Sequence, residues 1–220
     1  MILTILLPTR QRIKGLLNVL DTAKDTWDRY YPTQVLVKFD EDDVETREQW
    51  NQVREKYNSW VRTFVWQRGR GYLDLYKYNN TLASFANQYT EWFLIMNDDA
   101  HFTKKKWNAE IFETNGVGLN TPKIFLDSCE LFPCINRAAY GAMGTISKGN
   151  HADTYLKMVG EQANCLDSVN LGIVHEAHKF EDTVRREGQA VYGKEWDEHQ
   201  KLIEGDAKRI REYTGNPWSK

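Results

Sequence analysis

The chain has 220 residues, 41% hydrophobic and 27% charged, with 29 basic against 31 acidic side chains and a net charge of −2. That length buries a core without metal or disulfide staples. The near-neutral balance gives no electrostatic case for a nucleic-acid partner, which normally demands a basic excess. Three cysteines, Cys129, Cys134 and Cys165, form no C-x-x-C pair and read as reduced thiols of a cytoplasmic protein.

"ILTILL" (Ile2 to Leu7) is a continuous apolar run, the mark of a strand buried on both faces, and Pro8 closes it. A six-residue run with no basic lead is too short for a signal peptide or a membrane span. "QRIKGLLNVLDTAKDTW" follows with Ile13, Leu16, Leu17, Leu20 and Ala23 at helical spacing. "QVLVKF" (Gln34 to Phe39) is a second strand, and "DEDD" closes it. A helix is expected from Glu45 to Tyr57, a third strand over Val61 to Trp66, and a loop at Gly69 to Gly71. A helix through "LYKYNNTLASFANQY" should turn Leu82, Phe85, Ala86 and Tyr89 inward, and "EWFLIM" is the fourth strand. Repeated strand–helix units predict a mainly parallel sheet with helices on both faces.

The second half is less regular. "KIFLD" (Lys123 to Asp127) reads as a strand, "NRAAYGAMGTIS" as a small-residue helix or turn, and "ADTYLKMVGE" as a helix starting near Asp153. "SVNLGIVHEAH" reads as one strand ending at His175, and a charged helical tail is expected from Gly193 to Tyr213. Lys104, Lys105 and Lys106 form the one dense basic run, which reads as a solvated turn. The simplest organisation is one α/β domain: residues 1–100 as a nucleotide-binding half, 101–180 as an acceptor-binding half, 181–220 as a helical tail.

Ligands of open α/β sheets bind outside the carboxyl ends of the strands. Those ends carry Pro8, Thr9 and Arg10, then Asp40 to Asp43, then Gln67 and Arg68, then Asn97, Asp98 and Asp99. Two adjacent carboxylates repel unless something positive lies beside them. Hard divalent cations such as Mg2+ or Mn2+ favour such oxygen ligands and are completed by substrate phosphates. A turn that caps a short helix would use the same residues.

These segments resemble the family 2 glycosyltransferases of GT-A fold. "LLPTRQR" is similar to their first strand end, "VLVKFDEDD" to the acidic cluster that meets the nucleoside, and "GRGYLDLYKYNNTLA" to their glycine loop and the helix after it. Asn97-Asp98-Asp99 stands where they carry D-x-D, with Asn in place of the usual first Asp. The resemblance implies a GT-A sheet and a metal-dependent, inverting transfer of sugar from a nucleotide-diphosphate donor, UDP-sugar foremost, to an unidentified acceptor hydroxyl. It implies a donor pocket of Pro8, Thr9, Arg10, Arg12, Asp40, Arg68, Asn80, Asn97 and Asp98. Asp99 and His175 would hold Mn2+ or Mg2+, and Asp153 would be the general base.

Each assignment has a plain competitor. Asp153 also suits a helix cap, His175 and His178 suit polar residues leaving a strand, Asp127 and Glu130 are rival bases, and Arg68 suits a solvated turn. Two other functions stand beside the transferase: a non-catalytic sugar-nucleotide binding module, and a sugar nucleotidyltransferase. The early glycines of a nucleotidyltransferase phosphate loop are missing from "PTRQRIKG".

Overall fold

The computed structural model describes residues 1–113, 120–129, 131–149, 151–176 and 196–213. The chain builds β1 (Ile2–Thr9), α1 (Ile13–Thr26), β2 (Thr33–Asp40), α2 (Val44–Val53), β3 (Val61–Trp66), α3 (Leu75–Ser84) and β4 (Thr90–Ile95). There follow β5 (Ala100–Phe102), α4 (Trp107–Glu113), β6 (Ile124–Asp127), β7 (Pro133–Asn136), α5 (Arg137–Met143) and α6 (Ala152–Ala163). β8 (Leu166–Val169), β9 (Ile173–His175) and α7 (Trp196–Arg211) complete the described order.

A seven-stranded sheet runs β3-β2-β1-β4-β7-β6-β8. The first four of these strands are mutually parallel, as the strand–helix repeat predicts. β7 enters antiparallel between β4 and β6, and β6 and β8 are parallel again. The apolar runs are buried on both faces. Leu3, Ile5 and Leu7 meet α1 through Leu16, Val19, Leu20 and Ala23 on one side, and Leu6, Leu36, Phe93 and Ile95 meet Leu82 and Ala83 of α3 on the other.

Four expectations are corrected. "SVNLGIVHEAH" is two strands: β8 joins the main sheet, whereas β9 pairs antiparallel with β5 in a separate two-stranded sheet. The break falls at Gly172, whose φ of 63° is open to glycine. α2 gives way at Arg54 to a single tight 3-10 turn, so Tyr57 lies outside it. α3 stops at Ser84, because Asn87 turns the chain by accepting from the Tyr89 backbone N–H while its carbonyl accepts from that of Thr90. Tyr89 is therefore exposed, and Phe85, half exposed, stacks on Phe64 and Trp66.

The charged tail is a docked helix. Ile203, Ala207 and Ile210 of α7 are buried against α5 and α6. Asp206, fully buried, accepts from Tyr155 Oη, from Lys148 Nζ at 2.5 Å and from the Arg209 guanidinium.

Candidate active site

β1 delivers Thr9 and then Arg10 and Arg12 to the carboxyl edge of the sheet, and β4 delivers Asn97, Asp98 and Asp99 beside them. Thr9 Oγ1 donates to Asp98 Oδ2 at 2.6 Å. One guanidinium nitrogen of Arg12 donates to Asp98 Oδ1 at 2.9 Å and to Asp99 Oδ2 at 3.1 Å. This is the positive group that two adjacent carboxylates require. Burial pushes the Asp98 carboxyl up to about 6, against the pull of Arg12 and Thr9. Burial acts on Asp99 in the same sense, but the hydrogen bond and charge of His175, with Arg12, outweigh it and hold that carboxyl below its ordinary range.

His175 arrives through the two-stranded sheet. The register pairs Ala100 with His175, and the Glu176 backbone N–H closes on the Asp99 carbonyl at 2.7 Å. His175 Nε2 then lies 3.1 Å from Asp99 Oδ1, its ring edge-on to Phe132. A separation of this size suits two adjacent ligands of one ion at bond lengths of about 2.0–2.2 Å. Among the described residues no group of three or more His, Cys, Asp or Glu side chains could hold a metal. The donor set therefore fits a divalent cation only if a diphosphate and water supply the remaining ligands, as hard Mg2+-type sites commonly arrange.

The acidic pair depends on a glycine. Gly15 lies in the first turn of α1 so close to the Asp98 carbonyl that a Cβ there would sit 2.1 Å from the oxygen. The helix thus rests directly on the backbone of the Asp98–Asp99 turn.

A second charged cluster occupies the end of β2. Asp40, buried, accepts from Arg10 at 2.9 Å and from Lys38 Nζ. Arg10 also grips Asp42 with both terminal nitrogens, at 2.5 and 3.0 Å, which lowers the Asp42 carboxyl. Asp43 caps α2 through the Thr46 N–H and accepts from the Gln11 N–H at 2.7 Å. Lys38 is 1% exposed and lies 3.7 Å from the centre of the Tyr78 ring. Burial, with the nearby charges of Arg10 and Arg68, lowers its ammonium to about 8. Lys38 went unnoticed in the sequence, although a charge inside a strand buried on both faces must find a partner, and Asp40 two residues on shares its face.

The remaining expected residues divide. Pro8 closes β1 one residue before Thr9, Asn97 is half-buried beside the acidic pair, and Arg68 follows β3 within electrostatic reach of Lys38 and Asp42. Asn80 lies elsewhere: its Oδ1 accepts from the Ile146 and Ser147 N–H groups and its Nδ2 donates to the Ser147 carbonyl, pinning the loop before α6. Asp153 is half-buried in the first turn of α6, where His151 and not Asp153 is the cap residue, and its charge acts on His151. Asp127 is occupied by the Leu171 N–H at 2.6 Å and by Cys129. Glu130 and His178 lie outside the described residues. The lysine run is spent on carbonyls and carboxylates: Lys104 on Asn170, Lys105 on Asp25, Lys106 beside Asp28.

No protein family's sequence profile matches the chain, and none of the curated proteins matches its sequence. Its fold is nevertheless that of known glycosyltransferases: a mainly parallel Rossmann-like sheet between helices, in a single domain. The mannosyltransferase PcManGT from Pyrobaculum calidifontis, solved with GDP-Man and Mn2+, superposes with a TM-score of 0.60 at 13% identity, over 98% of this chain and 66% of that one. S. aureus TarS 1-349, solved with UDP, superposes with a TM-score of 0.59 at 12% identity, over 77% of this chain and 58% of that one. The chain thus spans less than two thirds of either protein. Among the described residues no helix is long and apolar enough to cross a membrane.

Proposed function

We propose that the chain is a metal-dependent glycosyltransferase of the family 2 type, moving a hexosyl group with inversion from a nucleotide-diphosphate sugar, UDP-sugar foremost, to an acceptor hydroxyl. The observation that carries this reading is the meeting of Thr9, Arg12, Asp98, Asp99 and His175 at the carboxyl edge of a glycosyltransferase-type sheet. Neighbours of that fold hold UDP or GDP-Man with Mn2+.

In this reading Asp99 and His175 would hold Mn2+ or Mg2+, which would supply Lewis-acid neutralisation of diphosphate charge. Arg12 sets the acidic pair and offers its guanidinium to phosphate oxygens. Thr9 orients Asp98. Asp40, steadied by Lys38 and Arg10, presents a carboxylate to the nucleoside, and Arg68 lines the same end. Asn97 and Pro8 shape the floor, and Asn80 acts indirectly, by holding the loop that leads to Asp153. Asp153 takes the proton of the acceptor hydroxyl, a step worth about 10²–10⁴-fold in rate. Asp153→Asn should lower turnover by that factor at unchanged donor affinity; a near wild-type rate would move the base elsewhere.

One feature favours a second reading. A single Arg12 nitrogen already bridges both carboxylates, so the diphosphate charge could be met by arginine without a metal. Hydrolysis of a panel of nucleotide sugars with Mn2+ and with chelator separates the two: loss of activity in chelator supports the metal site, persistence supports Arg12. No hydrolysis or transfer from any donor would leave only a binding module.

A further inference from the structure

Within α3, Asn79 and Asn80 stand side by side and do different things. Both ends of Asn80 are bonded to the backbone at 146–147. Asn79 is 1% exposed, and its Oδ1 has no hydrogen-bond partner among the described residues. A buried carboxamide oxygen without a donor is costly, and native proteins rarely keep one without a reason. The comparable indole nitrogens of Trp50 and Trp60 belong to the aromatic core, and Glu91 lies at the opposite, amino edge of the sheet.

The place of Asn79 follows from the helix phase. It precedes Leu82 and Ala83 by three and four residues, so it shares their face, which packs on Leu6 of β1 and Leu36 of β2. α3 returns antiparallel to these strands, and Asn79 is therefore one turn nearer their carboxyl ends. Strand alternation puts Pro8 on the Leu6 side, and Lys38 and Asp40 on the Leu36 side. The Lys38 ammonium over the Tyr78 ring confirms that level. The unpartnered oxygen thus belongs to the buried side of α3 that packs over the ends of β1 and β2, the end of the sheet that holds Asp40.

We propose that Asn79 Oδ1 is a nucleoside contact: it accepts a hydrogen bond from a donor group of the bound nucleotide, either the ring N–H of the base or a ribose hydroxyl. The inference rests on the nucleotide-sugar reading of the site. It assigns the unpartnered amide oxygen a ligand, and it moves specificity from Asn80 to its neighbour. Asp40 presents a second acceptor at the same end, so a nucleoside is held by acceptors from two elements.

The test is calorimetric titration of wild-type, Asn79→Leu and Asn79→Ala proteins with UDP and GDP in the presence of Mn2+, then with analogues of whichever binds. One analogue is methylated at the ring N–H, the other lacks the 2′ hydroxyl. Leu keeps the branched outline of Asn without its polar atoms but is bulkier, so Ala, which cannot overpack the site, is titrated beside it. The expected result is at least about tenfold weaker binding by the variant, the loss of one net hydrogen bond to a buried group. One of the two analogues should lose the same factor on the wild-type protein and nothing further on the variant. That analogue tells base from ribose. If the variant binds the parent nucleotide as wild type does, or if both analogues lose equally on both proteins, Asn79 is not a ligand contact and the inference falls while the donor reading stands. If wild type binds neither UDP nor GDP, both fall together.

Discussion

Gly15→Ala puts one methyl group where α1 touches the Asp98 carbonyl. The built Cβ would lie 2.1 Å from that oxygen, against about 3.3 Å for the closest ordinary C···O approach, so the helix or the turn must give by about 1.2 Å. Overpacking of this kind costs about 1–3 kcal/mol, and Ala returns up to about 1 kcal/mol of helix propensity over Gly. The expected net loss is about 1–2 kcal/mol in urea unfolding. The functional loss should be larger than the stability loss suggests. The yielding element carries Asp98 and Asp99, and a displacement of about 1 Å at a reacting site costs on the order of 10²-fold in rate. Gly205→Ala is the control: it lies in α7 with nothing nearer than Arg209 Nη2 at 3.9 Å, and should stabilise by up to about 1 kcal/mol. A Gly15→Ala protein as stable as wild type, with unchanged nucleotide affinity, would refute the contact.

Three further outcomes are expected. Asp99→Ala should remove the Mn2+ dependence of UDP binding in calorimetry while leaving the fold intact by circular dichroism; metal-dependent affinity that survives unchanged would exclude Asp99 as a ligand. Asp206→Ala should cost about 2–3 kcal/mol in denaturant unfolding, less than a sealed ion pair because Lys148 and Arg209 reach solvent; a loss below about 1 kcal/mol would mean that α7 is held by its apolar face alone. Lys38 loses its proton near pH 8 in the folded protein and near 10.5 unfolded. The unfolded chain thus binds more protons between those values, and the Lys38 contribution to stability rises with pH across that window. Stability of Lys38→Met measured against wild type should lack that rise, and parallel curves would contradict the assignment.

The first hundred residues were legible because β1, β2 and β4 are largely apolar runs, β3 is a short β-branched and aromatic segment, and the helices between them are amphipathic periods, local patterns that need no partner to be read. The order of strand ends followed, and with it the places of Thr9, Arg10, Asp40, Asp98 and Asp99. What tertiary structure decided is everything that depends on which distant segments meet. β7, four residues long, turns antiparallel between β4 and β6, and nothing in "PCIN" announces it. The split of "SVNLGIVHEAH" at Gly172 sends β9 to β5, and only that pairing, between residues 75 apart in the chain at Ala100 and His175, brings the imidazole to Asp99. Asp206 in a charged tail reads as solvated until α7 docks and Tyr155, Lys148 and Arg209 enclose it. The pair Asn79-Asn80 is the sharpest case. Two identical side chains about 100° apart on a helix differ only in what each faces, and that phase is set by packing on the sheet and not by the residues themselves.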